Sequence, residues 1–181
     1  MFGFTESDAV LWDIWISSVI GIPILIMIYR KYTSGGRDQW INRWDCVQLF
    51  LLGAGTSVGF RWLLTLLGGL GYTEDVSALL TGNILLEAVV LVLFSPLFEE
   101  LLFRGVIYER LKTRMPIRNA ALVSALLFGL YHGNLSQGIY GFFMGLALAW
   151  AMERFRTLAA PLMIHMGVNA AALFLELAIL L

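Results

Sequence analysis

Apolar runs long enough to cross a bilayer recur along the chain, separated by short polar segments. A spanning helix needs about 20 predominantly apolar residues. Six candidate spans meet or approach that length: Ala9 to Tyr29, Cys46 to Leu70, a third from near Leu79, Asn119 to His132, Gly138 to Met152, and Leu158 to Leu181. The fourth is short. Charged residues make up 14% of the chain and hydrophobic residues 59%, against about 25% charge in a soluble domain. These numbers predict an all-α, multi-pass transmembrane helix bundle. The connections are short, so residues 1–181 are expected to form one integral membrane domain. The first run follows Glu6, Asp8 and Asp13 and lacks a basic leader or small-residue cleavage site, which predicts a retained span.

The basic residues orient the bundle, because loops rich in lysine and arginine stay cytoplasmic. Arg30, Lys31, Arg37 and Arg43 follow span one; Arg110, Lys112, Arg114 and Arg118 follow span three; Arg154 and Arg156 follow span five. Glu74 and Asp75 lie between spans two and three, on the opposite side. The alternation predicts both termini on the non-cytoplasmic side, and the chain is expected in a prokaryotic plasma membrane. A net charge of −1 gives no electrostatic case for nucleic acid. The single cysteine, Cys46, excludes an internal disulfide and offers no metal-binding spacing. Tryptophans 12, 15, 40, 44 and 150 fall near predicted interfaces, as aromatic belts do. The Gly55/Gly59, Gly129/Gly133 and Gly141/Gly145 pairs have the spacing that lets helix backbones approach closely.

Against this apolar background, "SPLFEELLFRG" (Ser95 to Gly105) places two glutamates and an arginine inside a membrane run. A charge at the bilayer centre costs roughly 2.5–3.5 kcal/mol on insertion scales. Glu100 and Arg104 are spaced i,i+4 and share a helix face, so an ion pair would offset much of that cost. Glu99 is turned about 100° away, with no partner evident in its own turn. Both histidines of the chain, His132 and His165, also lie in apolar runs, and Asn169 shares a face with His165. At 1.5 Å rise per residue, Glu99 lies about 16 Å from Arg110, His132 about 21 Å from Arg118, and His165 about 13 Å from Arg156. All three fall within or at the edge of the central third of a core about 30 Å thick. An isolated histidine at a helix end is ordinarily a satisfied polar residue, and an asparagine commonly bonds helix to helix. An unpaired intramembrane carboxylate is by default a functional group, and the shared depth binds the set together. Arg61 and Glu87 also match in depth and suggest an interhelical ion pair. Pro96 and Pro161 precede the site residues and either kink their helices or occupy first turns. Ser95 and Ser124 read as packing residues.

In order, "EELLFR" (Glu99 to Arg104), "FGLYH" (Phe128 to His132) and "HMGVN" (His165 to Asn169) resemble the motifs of the CAAX protease and bacteriocin-processing family, also called CPBP or Abi. The likeness covers residues 79–173; residues 1–78 add two further spans outside it. The resemblance implies an intramembrane endopeptidase. Glu99 would activate water, His132 would share that water, and His165 and Asn169 would hold the oxyanion. Glu100 would support the site through Arg104. The implied substrate is a membrane-associated or hydrophobic peptide or membrane protein, met within the lipid bilayer.

The chemistry agrees. Amide hydrolysis needs a base for water, a stabiliser for the oxyanion and a proton for the leaving amine. Glutamate catalysis without a metal cofactor is the expectation. Zinc or another divalent metal held by Glu99, His132 and His165 is the alternative, although His-Glu-x-x-His is absent. Two other functions fit the same residues: a non-catalytic bacteriocin-immunity or partner-binding membrane protein, and a proton or ion carrier.

Overall fold

The computed structural model describes residues 6–33, 41–66, 83–133 and 135–180, and among them no strand occurs. Six helices follow in chain order: α1 (Glu6–Thr33), α2 (Arg43–Leu66), α3 (residues 84–112), α4 (Ile117–Tyr131), α5 (Leu135–Phe155) and α6 (Ala159–Leu180). Four of them (α1, α2, α5 and α6) contain stretches long and apolar enough to cross a membrane; α4 is shorter. The expected all-α bundle is therefore present. The Glu74–Asp75 connection, Arg37, Trp40 and the start of span three near Leu79 lie outside the described residues.

The burial pattern inverts that of a soluble protein. Leu85, Met27, Leu130, Phe143, Trp150 and Phe174 are exposed, whereas Glu87, Glu99, Glu100, Arg104, Glu109 and His165 are buried. Apolar side chains facing outward and charged groups facing inward are what a lipid solvent selects. The protein is an integral membrane protein.

Local chemistry sets the helix ends. Asn42 Oδ1 accepts from the backbone N–H groups of Trp44 and Asp45, and Asp45 Oδ2 accepts from Asn42 N. This reciprocal cap starts α2 three residues earlier than the apolar run alone indicates. Asn83 Oδ1 caps α3 through Leu86 N. Pro116, in an extended conformation, precedes α4. Gly133 takes φ +66° just past the end of α4, a terminator position that favours glycine. Gly133 is thus a chain-turning residue, and a Cβ there would meet no atom within 4 Å.

Two close crossings hold the bundle. A Cβ on Gly167 would lie 2.0 Å from Phe50 O, and one on Gly53 would lie 1.9 Å from Ile164 O, so α2 and α6 touch backbone to backbone. At the α4–α5 crossing, a Cβ on Gly129 would lie 2.5 Å from Gly138 O. Gly145 packs on Ala125, and Gly141 makes room for the His132 ring. The expectation for Gly55 and Gly59 is corrected: among the described residues a Cβ at either would meet nothing within 4 Å. The contact on that helix belongs to Gly53, which faces α6. Two apolar clusters flank these crossings. One joins Ile22 and Leu25 of α1 to Leu101 of α3 and Met152 of α5. The other joins Leu49 of α2 to Leu148 of α5 and Ile164 of α6.

Helix α3 runs through the middle and is irregular. Residues Ala88–Phe94 and Leu101–Tyr108 are wound as π-helix, and Ser95–Glu100 between them is α-helical. Short π segments inside α-helices frequently accompany functional sites. The glutamate pair stands on the α turn between them. Pro161 sits in the first turn of α6, whereas Pro96 lies in the interior of α3.

Candidate active site

Glu100 and Arg104 form the expected i,i+4 ion pair: Arg104 Nη1 lies 3.0 Å from Glu100 Oε1, and both side chains are fully buried. The arginine is held from three further directions. Its Nη2 donates to Gly145 O at 3.3 Å, its guanidinium lies 4.2 Å above the Phe128 ring, and Ala125 on α4 closes the space beneath Gly145. These contacts offset part of the cost of burying the charge, while Arg104 Nε and Glu100 Oε2 have no hydrogen-bond partner among the described residues.

The same Glu100 oxygen also receives His165 Nδ1, at 2.7 Å. A carboxylate oxygen accepts, so Nδ1 carries the hydrogen and Nε2 is left for the interior. Nε2 lies 3.8 Å from Glu99 Oε2. His132 is arranged likewise: its Nδ1 lies 2.9 Å from Phe128 O, which only an N–H can satisfy, so its Nε2 is also the free nitrogen. Phe128 meets both imidazoles edge to face, at 4.9 Å and 5.7 Å between centroids. The aromatic residue of the second motif is thus the wall against which Arg104, His132 and His165 are all set.

Glu99 is buried, and Ser95 Oγ donates to its Oε1 at 2.7 Å. Oε2 is then the oxygen nearer His165. Asn169 donates from Nδ2 to Leu91 O at 2.9 Å, which uses one of its two amide hydrogens. Glu99, His132, His165 and Asn169 line one cavity of about 210 Å³, shared with Ser95, Leu91, Gln137 and Tyr140. Liquid water takes about 30 Å³ per molecule, so the cavity has room for several waters. All four residues singled out as catalytic candidates meet there, drawn from α3, α4 and α6. Glu100 and Arg104 stand behind it. Among the described residues, no three His, Cys, Asp or Glu side chains converge as a metal site would require.

Four features escape the sequence reading. Ser95 is a partner of Glu99, and its i,i+4 spacing was the available signal. The Glu100–His165 bond joins residues 65 positions apart and has no local signature. Arg61 Nη1 lies 3.7 Å from Glu176 Oε2 on α6, a partner that the depth match with Glu87 does not reveal. Ser124, read as a packing residue, donates to Phe103 O at 3.1 Å and ties α4 to α3.

Comparison with known proteins agrees with this geometry. The family model described as type II CAAX prenyl endopeptidase Rce1-like matches residues 81–171, which contain all three motifs. The chain is 24% identical over 181 residues to the Bacillus subtilis (strain 168) protein named "Putative membrane peptidase YdiL", covering 92% of this chain and 72% of that relative. No solved structure matches the chain. On the family match, which spans half the chain and includes Glu99, Glu100, Arg104, His132, His165 and Asn169, the protein belongs to the Rce1-like family of type II CAAX prenyl endopeptidases.

Proposed function

We propose that the protein is an intramembrane endopeptidase that hydrolyses a membrane-associated or hydrophobic peptide by glutamate-activated water. The observation that carries this reading is the shared cavity, which Glu99, His132, His165 and Asn169 all line. Water enters between Glu99 Oε2 and the His132 Nε2 atom. Glu99 takes its proton as the water oxygen attacks the peptide carbonyl. Asn169 offers its second amide hydrogen to the oxyanion. His165 joins it when its Nε2 carries a hydrogen. The C–N bond then breaks, and Glu99 returns the proton to the leaving amine. The alternation of basic helix ends supports an orientation with both termini on the non-cytoplasmic side.

The test is cleavage of quenched fluorescent hydrophobic peptides by purified protein in proteoliposomes. Glu99→Gln lowers turnover by about 10²–10⁴-fold with an unchanged melting temperature. Full activity in that variant overturns the reading. A stable wild-type protein that cleaves no peptide points to the partner-binding function instead. Elemental analysis after dialysis against a chelator decides the cofactor: one tightly held zinc per chain, with activity lost on its removal, replaces glutamate catalysis by metal catalysis.

A further inference from the structure

The carbonyl of Leu91 is abandoned by its own helix. In an α-helix it would accept from Ser95 N, but that N–H bonds Val90 O, five residues back. In the π register of Ala88–Phe94 the next donor would be residue 96, which is a proline and has no N–H. Neither winding supplies a partner. A buried carbonyl without one is costly, and Asn169 Nδ2 fills the position at 2.9 Å. A serine inside a helix commonly turns its hydroxyl back onto the carbonyl four residues earlier. Ser95 departs from that habit: its hydroxyl donates forward to Glu99 Oε1. Leu91, Ser95, Glu99 and Asn169 all line the one cavity, while Pro96 is fully buried.

The geometry points to Pro96 as a positioning residue for the Asn169 side of the site: by withholding an N–H from Leu91 O, it leaves that carbonyl to anchor the Asn169 carboxamide. This inference rests on the reading of the cavity as a hydrolytic centre. The chemical benefit is preorganisation. One amide hydrogen of Asn169 on Leu91 O fixes the plane of the carboxamide, and the second is then aimed rather than free to rotate. Oxyanion donors act through such fixed placement.

Pro96→Ala restores a donor at residue 96, which competes with Asn169 for Leu91 O. The test compares the full-length wild type, Pro96→Ala, Asn169→Ala and the double variant in proteoliposomes. Asn169→Ala lowers kcat by about 10²-fold, as loss of one oxyanion donor does. Pro96→Ala lowers kcat by about 10-fold, a part of that loss, with KM unchanged. Its melting temperature is equal to or above that of the wild type, because a helix gains an N–H. In the double variant the two losses do not multiply. Unchanged kcat in Pro96→Ala, losses that multiply, or a fall in kcat that follows a fall in melting temperature each overturn the proposal. A second readout does not depend on activity. In protein labelled with ¹⁵N-asparagine, the Asn169 side-chain amide signal is assigned by its disappearance in Asn169→Ala, and it moves in Pro96→Ala. An unmoved signal overturns the anchoring even where peptides are cleaved. A moved signal in a protein whose Glu99→Gln variant keeps full activity upholds the anchoring and sinks the glutamate-activated reading alone.

Discussion

Helix α6 has two faces that solve opposite problems. Toward α2 it presents Gly167, and the backbones meet so closely that no side chain fits between them. Toward α3 it presents His165 and Asn169, and there the helices stand apart around a cavity bridged by hydrogen bonds. Lipid supplies no hydrophobic drive between helices, so association rests on close packing and interhelical polar contacts. The dry crossing provides the first and the polar seam the second. The difference teaches that one helix can combine a close backbone contact on one face with a hydrogen-bonded cavity on the other.

Disrupting each seam separately tests that division. The largest effect is expected from Glu100→Gln, which leaves the buried Arg104 without its counter-charge. Breaking a buried pair from one side costs about 3–5 kcal/mol, read as thermal unfolding in detergent, and activity falls with it. Gly167→Ala comes next. Overpacking typically costs about 1–3 kcal/mol, occasionally more, and here the obstruction is backbone, so the upper end applies. Stability and activity decline together in this variant. If Gly167→Ala proves the more damaging, the dry crossing carries more of the fold than the polar seam. Ser95→Ala removes one hydrogen bond, worth about 0.5–1.5 kcal/mol. It slows cleavage by roughly tenfold at most with little change in melting temperature. The smallest effect is expected from Gly55→Ala, where no described atom lies near. Alanine is about 1 kcal/mol the better helix former, so the melting temperature holds or rises slightly. A clear fall would reveal a further packing surface on α2.

Much of this arrangement is legible in the residues. The lengths of the apolar runs give the six helices. The i,i+4 rule gives the Glu100–Arg104 pair, and common depth gathers Glu99, His132, His165 and Asn169. What stays hidden is azimuth. Depth says at what height Arg61 lies but not which way it points, and its partner on α6 is Glu176. Small-residue spacing has the same gap. It permits close approach without saying from where, so Gly55 and Gly59 are open while the unpaired Gly53 and Gly167 carry the α2–α6 contact. The π winding of α3 is hidden for another reason. Its apolar residues suit α-helix equally well, and only packing against α1, α4 and α6 selects the wider turn.

Both carboxylates at the heart of the protein have a companion four residues away on their own helix: Ser95 for Glu99 and Arg104 for Glu100. The ribosome completes α3 well before α6, so His165 and Asn169 do not yet exist when this segment meets the translocation machinery. Its acidic pair is already neutralised or hydrogen-bonded from within. The segment that carries the costliest groups therefore meets the membrane with part of that cost already offset, and the later helices complete the centre.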